Sequence, residues 1–464
     1  MDINPKTAEA YSLLHNGILV LARAEQQGIR VDMDYLSKKK INLTKKINKL
    51  EENFKQTNFF RHWQHTVKGT ININSNTQLS HYLYKIKGIK LEKETNSGQG
   101  ATDDEALRQM NIPELTDLLE IRKFKKLLGY LDLFEREQVD GYLHPFFNLN
   151  LVATYRSSSD HPNFQNIPKR DEESMQTCRR GLFARPGHQL LEADYSGLEV
   201  KIAACYHKDT TMLKYITDPK SDMHADMAKQ LFMVDSFDKN IPSHYVLRQA
   251  AKNGFVFPEF YGDYYKNCAI NMACGWGKLP QGKWSRGEGI ELDTAFTLGD
   301  HFISKGIKSL DAYSDYVKKV EGDFWGNRFA EYAQWKDRWY NVYKKYGYVD
   351  LLTGFRCSGV MDRKQVINYP VQGAAFHCLL WSLVEIDRNL TELGMETKII
   401  GQIHDSMLLD VAPNELEYVV EIIKNVTCKD LPKAWHWIIV PLDVDIEITP
   451  IDGSWAEKEK YKIQ

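Results

Sequence analysis

The chain has 464 residues, 43% of them apolar and 12% aromatic, with 60 Lys+Arg against 62 Asp+Glu. That length suggests roughly three modules with enough apolar side chains for a sizeable core. The balanced charge gives no bulk signal for a nucleic-acid partner, so any electrostatic footprint must be local. Seven scattered cysteines form no CxxC pair, which argues against zinc and for reduced thiols in a cytosolic setting. No apolar run reaches the roughly 18 residues of a membrane span, and no signal-peptide pattern opens the chain. The expectation is a soluble cytoplasmic protein, bacterial or in a phage-infected host, with no membrane partner.

Residues 10–27 place Leu13, Leu14, Ile18, Leu21 and Ala22 at helical spacing, and Gly28 stops the helix. Residues 38–54 predict a basic amphipathic helix with Ile41, Leu43, Ile47 and Leu50 on its apolar side. Residues 71–98, rich in Asn, Lys, Ser and Gly, predict a loop-rich tip. A second basic helix covers 114–135, with Arg122, Lys123, Lys125 and Lys126. Such charge runs are usually solvated helix faces. Two of them flanking a tip would also suit a lobe that grips phosphates. From 141 to 154 the pattern alternates like a strand. Residues 188–194 read as an apolar strand ending at Asp194, then a turn at 195–197 and a helix. Residues 216–354 are mostly helical and rich in Tyr, Trp and Lys. Residues 398–411 read as a strand–turn–strand hairpin, and 441–448 as a further strand. Strands at both ends with helices between them suggest a sheet interrupted by a helical insertion.

Asp194 and Asp405 each sit where an apolar strand breaks into a turn. A carboxylate among buried strands is costly unless its charge is compensated, and a divalent cation shared by two of them is one compensation. For either residue alone, a turn or helix cap is the commoner reading. Arg248 and Lys252, four apart on one helical face, can neutralise a triphosphate or simply be exposed charges. Glu199 can serve a site or favour a helix N-terminus. Asn163 and its neighbours, beside prolines, also suit turns.

Taken in order, these residues resemble the family A DNA polymerases, typified by bacterial DNA polymerase I and some phage replicases. Asp194-Tyr195-Ser196-Gly197-Leu198-Glu199 is similar to the first acidic motif in its phage-like form, and His404-Asp405-Ser406 to the second. Thr154-Tyr155-Arg156 with Pro162 to Pro168 resembles the template–primer segment. Asp222-Met223-His224 resembles the Asp-x-His element. Arg248 to Lys252 with Tyr261-Gly262 resembles the nucleotide-binding fingers helix. Asn368, Pro370, Val371, Gln372 and Gly373 resemble the Asn-x-Pro-x-Gln-Gly segment. The resemblance runs from near residue 10 to the end.

The resemblance implies an α+β multidomain right-hand polymerase fold, with an antiparallel palm sheet and helical fingers and thumb. The thumb-like region with an N-terminal palm-entry helix would be 1–135, the palm 136–215 and 355–464, and the fingers 216–354. It implies a DNA-directed DNA polymerase that adds dNTPs to a primer 3′ end on two Mg²⁺ ions, with Mn²⁺ able to substitute. Asp194, Asp405 and the Tyr195 carbonyl would hold the metals. His224, Arg248, Lys252, Phe257 and Tyr261 would bind the nucleotide, and Glu199 would exclude a 2′-hydroxyl. Arg156, Asn163, Gln165, Asn368, Gln372 and His404 would test the minor groove of primer–template DNA, where every base pair offers similar acceptors. Arg170 would touch phosphate. The alternatives are a single-subunit RNA polymerase or reverse transcriptase, and a non-catalytic DNA-binding replication protein.

The chain departs from the family pattern at four points. Lys252 to Tyr261 spans nine residues against the usual eight, with Pro258 in place of a glycine, which leaves Phe255 and Phe257 as rivals for the aromatic position. A single inserted residue turns a helix by about 100°, so a kink or bulge must absorb it. Ser406 stands where a glutamate is common, able to hold a metal-bound water but no charge. Lys364 stands where an arginine is common. No nuclease-like segment precedes the thumb-like region, so the expectation is a monomer without proofreading, with a separate exonuclease or processivity subunit as a further partner.

Overall fold

The computed structural model describes residues 5–67, 69–89, 98–110, 112–169, 171–238, 240–275, 291–293 and 296–462. The chain forms two compact units. The first comprises Met1–Lys39, Gly129–Ser221 and Trp325–Gln464, and the second Lys40–Leu128 and Asp222–Phe324. Among the described residues, no helix is long and apolar enough to cross a membrane.

The first unit is built on a five-stranded antiparallel sheet. Its strands are β1 (Gln189–Tyr195), β2 (Lys398–Ile403), β3 (Ser406–Val411), β4 (Val444–Ile448) and β5 (Glu459–Lys460), in the order β2-β3-β1-β4-β5. β1 is central, which explains its near-continuous apolar run: Leu190, Leu191 and Ala193 are all buried. The 30-residue helix Arg363–Glu392 packs on the sheet with a long buried face that includes Ala374, Leu379 and Leu383. Helix Ala8–Gln27 ends at Gly28, whose φ of 65° requires the left-handed freedom of glycine. The single strand read over 141–154 is instead two short ones, Tyr142–Leu143 and Phe146–Asn148, because Pro145 lies between them and cannot donate to a ladder.

The second unit is mainly helical. In its first segment, the parts of helices Met33–Gln56 and Pro113–Glu137 within Lys40–Leu128 supply part of a core containing Phe54, Phe59, Trp63, Tyr82, Leu118 and Ile121. Trp63 stacks on Tyr82 at 5.5 Å. Leu43 and Ile47 are buried as expected, but Ile41 is 56% exposed, and Phe54 belongs to the apolar face. The basic runs are partly paired: Lys46 lies 3.8 Å from Glu120 and over the Phe124 ring, Lys125 pairs with Glu51, and Arg122 donates to the Thr102 carbonyl. The loop-rich reading of 71–98 is corrected over Asn76–Ile86, an α-helix running into a π turn. Leu79, Tyr82 and Leu83 at spacing i, i+3, i+4 bury there and outweigh the polar composition. Residues 90–97 lie outside the described residues.

Candidate active site

Sheet register sets the acidic centre in the first unit. Asp194, near the end of β1, faces Ser406 on β3 and Asp445 on β4. Asp405 lies in the two-residue turn between β2 and β3, where His404 adopts a φ of 53°. The Tyr195 N–H donates to the Asp405 carbonyl at 3.1 Å and stitches that turn to the end of β1. The Ser406 hydroxyl donates to the Ile403 carbonyl at 2.9 Å, so it closes the hairpin from inside. The Tyr195 ring is buried, its hydroxyl 2.8 Å from Ser382 Oγ. Gly197, with φ 62°, then turns the chain into helix Leu198–His207, which carries Glu199 in its first turn.

Two cations reach into this centre. Arg156 Nη1 donates to Glu199 Oε1 at 2.9 Å, and its Nη2 lies 3.7 Å from Asp405 Oδ1. Lys169 Nζ is 3.0 Å from Asp194 Oδ2. Burial is the main cause that pushes the Asp405 carboxyl up to about 6, and the charges of Glu199 and Asp194 add to it. Arg156 and Lys169 oppose the rise without cancelling it.

The expected minor-groove readers fall into three places. The Gln165 amide donates to Ser157 Oγ at 2.8 Å and Gln402 Oε1 at 2.7 Å, while the Gln402 amide donates to the His404 carbonyl. Asn163 sits at the start of a short 3-10 turn with its Oδ1 buried and lacking a hydrogen-bond donor. Asn368 and Gln372 are one turn apart and half-buried on helix Arg363–Glu392. That helix passes close to the Thr154–Arg156 segment: a Cβ on Gly373 would lie 2.4 Å from the Thr154 carbonyl oxygen. Arg170 lies outside the described residues.

The second unit gathers the expected nucleotide-binding residues in a basic corner. Asp222 caps helix Met223–Phe232 and accepts from Arg248 Nε at 2.8 Å. His224 meets the Phe257 ring edge-on at 5.7 Å, and Lys252 Nζ lies 5.3 Å from the same ring's centre. Burial, then the charges of Arg248 and Lys252, lower the His224 imidazole to about 4, so it is neutral at physiological pH. Residues Lys252–Val256 form a π turn. A π turn accommodates one extra residue, which is how the nine-residue spacing is absorbed. It aligns Lys252 with Phe257 and sends Phe255 into the core, edge-on to Phe324 at 5.3 Å. Tyr261 follows helix Phe257–Phe260 and is 44% exposed.

Sequence reasoning missed a buried ionic group beneath Asp194. Glu192, 2% exposed, is bound by Lys458 at 2.6 Å, Trp455 Nε1 at 3.0 Å and Arg179 at 3.5 Å. Although burial raises it, these cations with Lys169 hold the Glu192 carboxyl down at about 2. The available signal was an acidic residue inside an otherwise apolar strand, two positions before Asp194.

A family model described as DNA polymerase family A matches residues 33–274 and 306–457. The chain belongs to that family. Among family A relatives, DNA polymerase I of Chloroflexus aurantiacus is 28% identical over 462 residues, covering 95% of this chain and 42% of that protein. DNA polymerase I of Aquifex aeolicus is 28% identical over 439 residues, covering 94% and 66%. The thermostable DNA polymerase I of Thermus aquaticus is 26% identical over 449 residues, covering 92% and 46%. The chain therefore spans less than two thirds of the length of these relatives. The POL domain of Pol1 from M. smegmatis, solved in complex with DNA primer-template and dNTP, matches with a TM-score of 0.74 at 22% identity, over 96% of this chain and 70% of that one. The fold is thus the expected α+β polymerase fold, with an antiparallel sheet and surrounding helices. Membership of family A suggests dependence on a divalent metal.

Proposed function

We propose that this chain is a template-directed DNA polymerase that adds dNTPs to a primer 3′ end, with Asp194 and Asp405 as its metal-binding carboxylates. The observation that carries this is the pairing of two strand-end aspartates, stitched by the Tyr195 amide, in a chain of family A. Asp405 is costly to ionise where it stands, and a bound cation would remove that cost. The donor set fits Mg²⁺, which takes one or two carboxylates and fills its octahedron with substrate phosphates and water. Among the described residues, no group of three or more His, Cys, Asp or Glu is arranged to hold a metal. By resemblance to the family's first acidic motif, the Tyr195 carbonyl would complete the shell with substrate oxygens, and Mn²⁺ could replace Mg²⁺. When bound, two such ions stabilise charge on the attacking and leaving oxygens of an in-line displacement.

The protein's own side chains do the positioning. Arg248 and Lys252 would neutralise the triphosphate, with neutral His224 donating a hydrogen bond. Phe257, presented beside Lys252 by the π turn, would pack on the incoming nucleotide, with Tyr261 beyond it. Glu199, held by Arg156, would penalise a 2′-hydroxyl through crowding and desolvation. Arg156, Asn163, Gln165, Asn368, Gln372 and His404 would test the primer terminus. In this reading 1–135 is the thumb-like region, 136–215 and 355–464 the palm, and 216–354 the fingers. The partners are primer–template DNA and dNTPs, as accompany the M. smegmatis domain. Primer extension with dNTPs against NTPs, on DNA and RNA templates, tests the reading. Extension with dNTPs on DNA is expected, and preferential use of NTPs would sink it.

A further inference from the structure

We propose that Lys169 is a tethered counter-cation of Asp194 that competes with the divalent metal for that carboxylate, and so sets the metal concentration the protein requires. This rests on the metal-holding role proposed for Asp194. The Lys169 ammonium stands 3.0 Å from Asp194 Oδ2 and 3.4 Å from Glu192 Oε1. Glu192 and Asp194 are two apart on β1, so both side chains emerge on one face of the sheet.

The two carboxylates differ in freedom. Glu192 is locked from below by Lys458, Trp455 and Arg179, and Arg179 in turn donates to the Pro168 carbonyl at 3.1 Å and lies over the Trp455 ring at 3.9 Å. Lys169 is half exposed on a flexible four-carbon stem. A fixed anion thus stands beside a mobile ammonium. The ammonium can hold Asp194 when no metal is present, and can shift to Glu192 when a divalent ion takes the Asp194 oxygen. Among the described residues the cation paired with Asp405 is the Arg156 guanidinium at 3.7 Å, and Lys169 reaches Asp405 only through its more distant charge. Lys169 is therefore a positioning residue, acting through Asp194.

The test is Mn²⁺ binding followed by electron paramagnetic resonance on the whole chain, without DNA or nucleotide. Exposed ion pairs of this kind bear on affinity modestly, so Lys169→Met should lower the Kd for Mn²⁺ by about 3- to 5-fold. Lys460→Met removes an ammonium bound 3.0 Å from Asp445, the residue facing Asp194 across the strand pair. It should change the Kd by less than about twofold, because the screened general field is weak there. An unchanged or raised Kd in Lys169→Met, or an equal gain in Lys460→Met, would overturn the role given to Lys169. Asp194→Ala should lose the site. If it binds Mn²⁺ as tightly as the wild type, the metal assignment itself fails, separately from Lys169.

Discussion

Replacing Asp405 by Asn should make the protein more stable at pH 8 and less so, relative to wild type, as the pH falls. The carboxyl is raised from its usual 3.8 to about 6, chiefly by burial. A folded pKa above the unfolded one means that the folded state binds the proton more tightly. The penalty for ionising it is therefore absent below the usual value, grows between 3.8 and about 6, and is complete above. At 1.36 kcal/mol per unit, the penalty is at most about 3 kcal/mol. Asparagine keeps the shape and the backbone bond to Tyr195, and the attraction to Arg156 is already included in that net rise. The expected gain is at most about 3 kcal/mol at pH 8, or about 3 °C or less in Tm for a chain of this length. Scanning calorimetry at pH 8 and pH 5, without metal, measures it. A less stable variant at pH 8, or a gain of the same size at pH 5, would refute the electrostatic reasoning.

Glu192→Gln should cost about 3–5 kcal/mol in urea unfolding at pH 7, because it strands Arg179 as a buried charge. In the wild type the Glu192 contribution, held at about 2 in the folded state, is present above the usual 4.5 and is lost as pH falls towards 2, so an acid titration should show it fading. Gly373→Ala should destabilise by about 1–3 kcal/mol in the same assay, since the new Cβ would lie 2.4 Å from the Thr154 carbonyl oxygen; no change would mean that the helix and the Arg156 segment separate freely. Glu199→Ala should reduce the preference for dNTP over NTP by about 10- to 100-fold in kcat/KM, read from steady-state incorporation. An unaltered ratio would remove Glu199 from sugar selection.

Much of the sheet was legible from the sequence because strand patterns are local. The hairpin over 398–411 declared itself by two apolar runs around His404-Asp405, and the structure places its turn there. The extra residue expected between Lys252 and Tyr261 was legible as a count, nine residues rather than eight, but its resolution was not. Only packing of Phe255 against Phe324 decides that a π turn at Lys252–Val256 takes up the extra residue. The Glu192 group was illegible for another reason. Arg179 lies 13 residues away, but Trp455 and Lys458 lie 263 and 266 away, so no window of sequence contains the whole group that compensates it. Lys169 was overlooked beside Arg170 for the same reason, since its partners on β1 become visible only in three dimensions. In Asn76–Ile86, polar composition hid three apolar residues at helical spacing.

Single-turnover incorporation of the next complementary dNTP, compared between the wild type and Asp194→Ala with primer–template binding measured by anisotropy alongside, tests whether the paired aspartates drive nucleotide addition. Mg²⁺-dependent incorporation by the wild type is expected, with a loss of about 10³-fold or more in the variant and DNA binding that is nearly unchanged. A wild type that adds no nucleotide would rule out polymerase activity, and a variant that adds it at an undiminished rate would remove Asp194 from the metal site.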